Sequence, residues 1–128
     1  MAIRRDQADA WFSKAVRMRD SNVCQNCGKG PNTECAHIYG RARKSVRWDM
    51  MNAISLCHYC HKYFTANPVT FYDSLMKWHG DAYMEILRDK QNTILKTNKI
   101  LRAEVSKHYR DEVRKKEADS SYTIISWC

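Results

Sequence analysis

A chain of 128 residues, 44% of them hydrophobic, is expected to fold as one domain, and the lack of any run of about 18 apolar residues excludes a membrane-spanning helix. The N-terminus has no apolar stretch of the kind found in secretory signals, so we expect a cytoplasmic protein. Six cysteines in such a chain favour metal binding over disulfides. The net charge of +8 is concentrated in residues 1–66, which hold 11 Lys and Arg against 5 Asp and Glu; this favours DNA or another polyanion as partner, with a solvated basic face as the alternative.

The first half of the chain contains one predicted helix followed by two predicted short strands. Apolar residues at helical spacing predict an amphipathic helix over residues 6–20, with Trp11 and Phe12 turned towards the core. Asn, Gly and Pro residues then indicate a tight turn around the first cysteines. Short strands are predicted over residues 34–39 and 53–56, joined by a loop or hairpin arm with the sequence RARKSVRWDMMN.

The second half of the chain is predicted to be helical. One helix should cover residues 58–66 and end before Pro68, which should itself open a second helix that stops at Gly80. A longer helical pattern covers residues 81–118, with one break expected near Asn92, and the last ten residues should be loose or add a strand. An apolar stripe on the long pattern predicts a packing face, against the body of the protein or a second copy. The stripe comprises Ile94, Leu101, Val105, Tyr109 and Val113.

Two matched pairs of cysteines, each with the spacing C-x2-C, predict a structural zinc site. A tight turn brings the two thiolates of a pair to one ion, and two such turns complete the closed four-thiolate geometry of structural zinc, which contributes on the order of 10 kcal/mol to folding. The 29 residues between the pairs leave room for a two-stranded arm. Unrelated buried cysteines or a redox pair are the alternatives, and Cys35 and Cys128 are expected to be a core thiol and a terminal thiol. The predicted zinc ligands are Cys24, Cys27, Cys57 and Cys60.

The arm between the cysteine pairs places one histidine among basic residues. On a strand over residues 34–39, Ala36 and Ile38 suit the core, so His37 is expected to point outward. A neutral imidazole among cations resists protonation and is suited to act as a base near neutral pH, although an ordinary polar contact is the alternative. The basic neighbours are Arg41, Arg43, Lys44 and Arg47.

Three further polar residues lie next to the second strand and the second cysteine pair. His61 directly follows Cys60, so a bound zinc should fix its direction, whereas His58 is expected to stay in solvent or near a phosphate. Asn52 precedes the second strand, where its side chain can tie one arm to the other, unless it is an ordinary turn residue.

Over residues 23–64 the pattern C-x2-C, AHI, NAISLC-x2-CH resembles the zinc-clamped HNH (ββα-metal) endonucleases, in the style of the phage recombination endonucleases of the endonuclease VII and NinG kinds. The resemblance implies an α+β fold with a small ββα-metal core. It implies that His37 is the general base, that Asn52 orients the loop carrying the base, and that His61 binds a catalytic Mg²⁺ or Mn²⁺ ion. The implied activity is DNA phosphodiester hydrolysis, as a nickase or a branched-DNA endonuclease, leaving 5′-phosphate and 3′-hydroxyl ends.

One position departs from the pattern of these nucleases. Many members carry Asp or His immediately before the general base as a second metal ligand, whereas this chain has Ala36, which cannot coordinate an ion. Asp49 is a candidate substitute ligand, or else an exposed partner of Arg47. We therefore expect weak affinity for the catalytic ion rather than loss of activity.

The basic residues of the arm are expected to hold the phosphate backbone without reading its sequence. Trp48 is expected to be a buried anchor of the arm, with stacking on a base as the alternative. Low sequence specificity, or recognition of DNA shape, follows as an expectation.

The predicted organisation has three segments. Residues 1–22 form a helix packed on the core, residues 23–66 form the ββα-metal core with zinc, and residues 67–128 form a helical extension that can add DNA contacts or make a homodimer. Two other functions fit the sequence: a catalytically inactive zinc module that binds DNA or protein, and an interaction protein that acts through the long helix.

Overall fold

The computed structural model describes residues 4–128, so the first three residues of the predicted N-terminal segment lie outside the described part of the chain. The architecture is α+β, with a two-stranded antiparallel sheet and five α-helices over these residues. None of the helices in residues 4–128 has the length and apolar character needed to cross a membrane. The elements are α1 (Gln7–Arg19), β1 (Thr33–His37), a 3-10 turn (Met50–Asn52), β2 (Ala53–Cys57), α2 (His58–Ala66), α3 (Pro68–His79), α4 (Asp81–Gln91) and α5 (Lys99–Ala118).

Helix α1 begins with a capping box. The Asp6 carboxylate accepts the backbone N–H of Asp9 at 2.9 Å, and the Asp9 carboxylate accepts that of Asp6 at 2.9 Å. Phe12 is fully buried, as the helical spacing predicts, whereas Trp11 is only partly buried against the same core. Helix α1 contacts both strands, so it covers the sheet.

The sheet and α2 together make a ββα unit. Strand β1 pairs antiparallel with β2, in a register that sets Thr33 opposite Cys57 and His37 opposite Ala53. Helix α2 begins directly after β2 and contacts both strands. In the described residues β1 pairs only with β2, so its other edge is open.

Two hydrophobic cores flank the sheet. One joins α1 to α5 and to the C-terminal tail, and the other joins the sheet to α2, α3 and α4. Val105, Tyr109 and Val113 of α5 are fully buried in the first core. The packing face predicted for the long helix is therefore confirmed, and it is covered by the body of the same chain.

The structure confirms the break predicted near Asn92 and corrects the apolar stripe. Residues 92–98 are not helical, and Asn98 caps α5 by accepting the N–H of Leu101 at 2.8 Å. Ile94 lies in this connection and is 90% exposed, so it is not part of the packing stripe.

The tail is neither loose nor a strand. Its Tyr122 hydroxyl and Ile125 N–H donate to the Glu112 carboxylate at 2.8 and 2.7 Å, and Ile124 is buried. The tail is therefore fixed to α5, and it adds to the core around α1.

Candidate metal centre and histidine cleft

The two cysteine pairs meet in one cluster. The four Sγ atoms of Cys24, Cys27, Cys57 and Cys60 lie within 4.8 Å of one another, and those of Cys27 and Cys57 are 3.7 Å apart. Four sulfurs bound tetrahedrally at about 2.3 Å would be about 3.8 Å apart. The cluster can therefore hold a metal ion such as zinc.

Local backbone geometry forms each half of the cluster. In the first pair, the Gly28 N–H donates to the Cys24 carbonyl at 2.9 Å, and Gly28 adopts a φ of 79°, which favours glycine. In the second pair, Cys57 caps the N-terminus of α2, where its sulfur accepts the N–H of Cys60 at 3.4 Å. The Asn26 side-chain amide donates to the Cys60 sulfur at 3.4 Å and links the two halves.

Without a bound cation, the thiols of the cluster differ in acidity. Burial raises the pKa of the Cys24 thiol, but the backbone N–H groups facing it outweigh burial and bring the pKa to about 6. Burial, reinforced by the neighbouring thiols, raises the pKa of Cys60 to about 12. Four ionised sulfurs this close repel one another, so a bound cation is what allows all four to ionise.

A cleft of about 610 Å³ runs along the open edge of β1. Thr33, Glu34 and Cys35 line it in succession, so it follows the strand. His37, at the end of β1, and His61, on α2, both line this cleft. The structure therefore brings together the two histidines that the sequence pattern selects.

The His37 side chain lies towards α1 rather than in open solvent, which corrects the predicted exposure. Its ring centroid is 5.6 Å from that of Phe12, and its Nε2 is 3.2 Å from the backbone carbonyl oxygen of Arg47. A carbonyl oxygen only accepts hydrogen bonds, so Nε2 carries the hydrogen and Nδ1 keeps the lone pair.

The partly buried position of His37 favours the neutral imidazole. Burial lowers the pKa of His37 to about 4. The hydrogen bond to the Arg47 carbonyl and the negative charge of Asp9 act against this shift, whereas the positive charges of Arg41 and Arg47 lower the pKa further. The low pKa predicted from nearby cations is therefore present, with desolvation as its main cause.

Asn52 joins the end of β1 to the start of β2. Its side chain is fully buried, and its amide donates to the Tyr39 carbonyl at 2.8 Å while its Oδ1 accepts the Tyr39 N–H at 2.8 Å. Its own carbonyl accepts the N–H of Ile38 at 2.7 Å. These contacts link the end of β1 to the start of β2, as predicted for Asn52, and they fix the backbone that follows His37. Asn52 is therefore not an ordinary turn residue.

His61 shares one carboxylate with His58. The Nδ1 of His61 is 2.8 Å from Oε1 of Glu34, and the Nδ1 of His58 is 3.0 Å from its Oε2. The His58 side chain is 81% exposed, in line with the predicted solvent position. The hydrogen bond from His61 lowers the pKa of Glu34. Burial acts in the opposite direction, and the hydrogen bond from His58 lowers the pKa further. Sequence reasoning missed Glu34, although strand alternation puts it on the same face of β1 as Ala36.

Arg47 does not occupy the phosphate-binding position expected for it. It is only 5% exposed, and its guanidinium donates to the Asp9 carboxylate, with Nε 2.9 Å from Oδ1. Trp48 is buried beside it and donates from Nε1 to Asp9 at 3.1 Å, which confirms that Trp48 is an anchor of the arm. Arg47 is therefore a structural residue that holds the arm against α1.

Asp49 takes neither of the two positions expected for it. It is buried, and its carboxylate accepts the Lys90 ammonium at 2.8 Å and the Met51 N–H at 2.9 Å. It does not line the cleft between the histidines. Asp49 is therefore neither a substitute metal ligand nor a partner of Arg47.

Basic side chains reach the cleft from two segments. Arg41 lines it from the arm, and Arg43 and Lys44 are exposed on the same loop. Arg5 and Arg17 line it from the α1 side, and sequence reasoning missed them because they are far from the arm in the chain. The cleft thus carries positive charge on both sides.

Neither of the two remaining cysteines belongs to the cluster. Cys35 lies on β1 against the core around α1, and burial raises the pKa of its thiol to about 12, so the thiol stays protonated. Cys128 is exposed at the end of the tail.

Comparison of the chain with protein-family models, with curated proteins and with solved structures gives no match.

Proposed function

We propose that the protein is a metal-dependent HNH DNA endonuclease that hydrolyses phosphodiester bonds. The proposal is carried by one observation: His37 and His61, from the strand and the helix of one ββα unit, line a single basic cleft. Asn52 and the cysteine cluster hold the segments that bear these two residues.

His37 acts as the general base. Its Nδ1 accepts a proton from the attacking water as the water oxygen bonds to phosphorus, and the bond from phosphorus to the 3′ oxygen breaks. The departing 3′ oxygen takes a proton from solvent, so the products carry 5′-phosphate and 3′-hydroxyl ends. The depressed pKa leaves the ring unprotonated at neutral pH, the form that a general base needs, and also makes it a weaker base than a free imidazole.

Two metals belong to the proposal. Zinc bound by Cys24, Cys27, Cys57 and Cys60 is structural, because four sulfurs leave no open position. His61 would be the protein ligand of a Mg²⁺ or Mn²⁺ ion, with the Glu34 carboxylate on its Nδ1 and with phosphate and water oxygens as the other ligands. Such an ion supplies stabilisation of the charge that develops on the phosphate and the leaving oxygen.

DNA is the partner that the charge of the cleft favours. Arg5, Arg17 and Arg41 line the cleft together with two carboxylates, Asp9, which is paired with Arg47, and Glu34, which faces His58 and His61. Contacts from such side chains to phosphates position DNA without reading its sequence. We therefore propose a nuclease of low sequence specificity, acting as a nickase or on branched DNA.

A catalytically inactive zinc module that binds DNA or protein is the second candidate. It is favoured by Ala36, which is buried in the core and offers no ligand where related nucleases have one. This candidate predicts DNA binding that weakens with salt and no cleavage with any divalent ion.

The test is cleavage of supercoiled plasmid by zinc-loaded protein with added Mg²⁺ or Mn²⁺. We expect nicking by the wild type, and a rate lower by about 10²- to 10⁴-fold in His37→Ala, the loss usual for a general base. His108→Ala, which removes an imidazole of α5 outside the cleft, is the matched control and should cleave normally. Equal nicking by wild type and His37→Ala would rule out His37 as the base, and no nicking by the wild type would favour the inactive module.

A further inference from the structure

We propose that Glu34 is a positioning residue that fixes the ring orientation and the tautomer of His61. This inference rests on the proposed function, because it takes His61 as the ligand of the catalytic ion. Glu34 is 2.8 Å from His61 and 3.0 Å from His58, and each of its two carboxylate oxygens meets one Nδ1 atom.

The chemistry of the carboxylate decides which nitrogen of His61 is free. An ionised carboxylate accepts hydrogen bonds and donates none, so the Nδ1 atom facing it carries the hydrogen. In the neutral ring the other nitrogen, Nε2, then holds the lone pair. A free imidazole divides its hydrogen between two nitrogens, whereas His61 is held in the one form whose Nε2 can bind a metal.

A metal-bound histidine commonly donates its second N–H to a carboxylate in this way, which orients the ring and makes the ligand more basic. The contact between His58 and Glu34 serves the same end. It occupies the second carboxylate oxygen and so keeps Oε1 turned towards His61.

Glu34 supplies a carboxylate close to His61 in a chain that has no ligand at Ala36. Glu34 and Ala36 lie on the same face of β1, two residues apart, and α2 contacts this strand. The Glu34 carboxylate thus lies two residues before Ala36 on the same face of β1, where it contacts His61 rather than the ion. Glu34 also lines the cleft that holds both histidines.

The experiment compares zinc-loaded wild type with Glu34→Ala by two readouts that do not depend on cleavage. Long-range ¹H–¹⁵N spectra report the tautomer of His61, and titration with Mn²⁺ followed by electron paramagnetic resonance reports metal affinity. We expect wild-type His61 to carry its hydrogen on Nδ1. In Glu34→Ala we expect a mixture of tautomers and a 10- to 100-fold weaker affinity for Mn²⁺, the usual effect of removing such a partner.

Two control variants separate this effect from a general change in charge or fold. Glu104→Ala removes an exposed carboxylate of α5, and should leave the tautomer and the Mn²⁺ affinity unchanged. Glu34→Gln keeps a side chain of the same length with one oxygen acceptor, and should recover part of the lost affinity. Zinc content of each variant checks that the cysteine cluster is intact.

The outcomes distinguish this inference from the proposed nuclease activity. Loss of the single tautomer and of Mn²⁺ affinity in Glu34→Ala upholds it, even if the wild type cleaves none of the DNA substrates tried. An unchanged tautomer or an unchanged Mn²⁺ affinity in Glu34→Ala overturns it, even if the wild type cleaves DNA. A wild type that does not bind Mn²⁺ overturns it as well.

Discussion

Two regions of this protein are stabilised by different means. The zinc region consists of the cysteine cluster with β1, β2 and α2; it has an apolar core of its own, and its four clustered cysteines could hold a metal such as zinc. The helical region consists of α1, α5 and the tail, and apolar packing around Phe12, Val105 and Tyr109 stabilises it. A buried ion pair between Asp9 and Arg47 ties the arm between β1 and β2 to the helical region.

The difference matters because the cleft lies where the two regions meet. His61 belongs to the zinc region, one residue after a cysteine of the cluster. His37 lies on β1 but packs against Phe12 of α1, so the helical region determines its burial and its low pKa. Each region therefore fixes one of the two imidazoles, and the proposed chemistry needs both regions to be folded.

Removal of zinc should have the largest effect, and it should fall mainly on the zinc region. Zinc binding contributes on the order of 10 kcal/mol, and the whole free energy of unfolding of a domain is about 5–15 kcal/mol. The zinc region should therefore not stay folded without the ion. Chelation, or the change Cys57→Ser, should abolish hydrogen-exchange protection in β1, β2 and α2 while α1 and α5 keep part of theirs. Mass spectrometry of exchanged peptides measures this, with Cys128→Ser as the control; undiminished protection after chelation would show that the cluster needs no metal.

The next largest effect is expected from Asp9→Asn, which breaks the tie between the regions. It removes the Asp9 charge from the buried Arg47 guanidinium, which keeps only Asp6 at 3.8 Å, and breaking a buried pair costs about 3–5 kcal/mol. Urea denaturation measures the loss. The control is Glu117→Gln, which breaks an exposed pair with Lys14 and should cost less than about 1 kcal/mol. Similar losses in both variants would mean that the buried pair is not the link.

The influence of the helical region on His37 can be measured by titrating the histidine. Because the pKa of folded His37 is about 4 against an ordinary 6.5, its ring should stay neutral between pH 7 and 5 in NMR spectra of zinc-loaded protein. In this window the unfolded chain binds a proton that the folded chain does not. Stability should therefore fall as pH falls from 6.5 towards 4, by more than in His37→Gln. Titration of folded His37 near pH 6.5 would contradict its burial under α1.

The smallest effect should come from Arg41→Ala, which removes one charge from the cleft. DNA affinity should weaken equally for all sequences, and the slope of log affinity against log salt should become shallower by about one. Lys77→Ala removes an exposed charge of α3 outside the cleft and should change neither quantity. If Lys77→Ala had the same effect as Arg41→Ala, binding would not be directed to the cleft.

The zinc region could be predicted from the sequence because its constraints are local. The spacing of two cysteine pairs limits the geometry of four sulfurs, and His61 inherits its position from the adjacent Cys60. Strand alternation put His37 on the face of β1 opposite Ala36 but wrongly predicted that it is exposed, whereas the tie predicted for Asn52 before β2 is present. The two histidines that line the cleft were therefore identified from spacing and family resemblance.

The parts of the site that could not be predicted depend on how α1 lies across β1. Nothing in the arm sequence distinguishes Arg41, which lines the cleft, from Arg47, which is buried on Asp9. The same placement brings Arg17 to the cleft and covers His37. Glu34 was missed for a related reason, since its contact with His61 depends on how α2 packs against the strand. Such long-range packing leaves no periodic signal in one sequence.

The rates of plasmid nicking in a double-mutant cycle test most directly whether the two histidines serve one reaction. The proteins are wild type, His37→Ala, His61→Ala and the double variant, each loaded with zinc and assayed in Mg²⁺ or Mn²⁺. If both residues act in the same chemical step, each single change removes most of the rate, and the double variant is no more than about tenfold slower than the slower single variant. Independent, multiplicative losses, or full nicking by either single variant, would contradict a shared site.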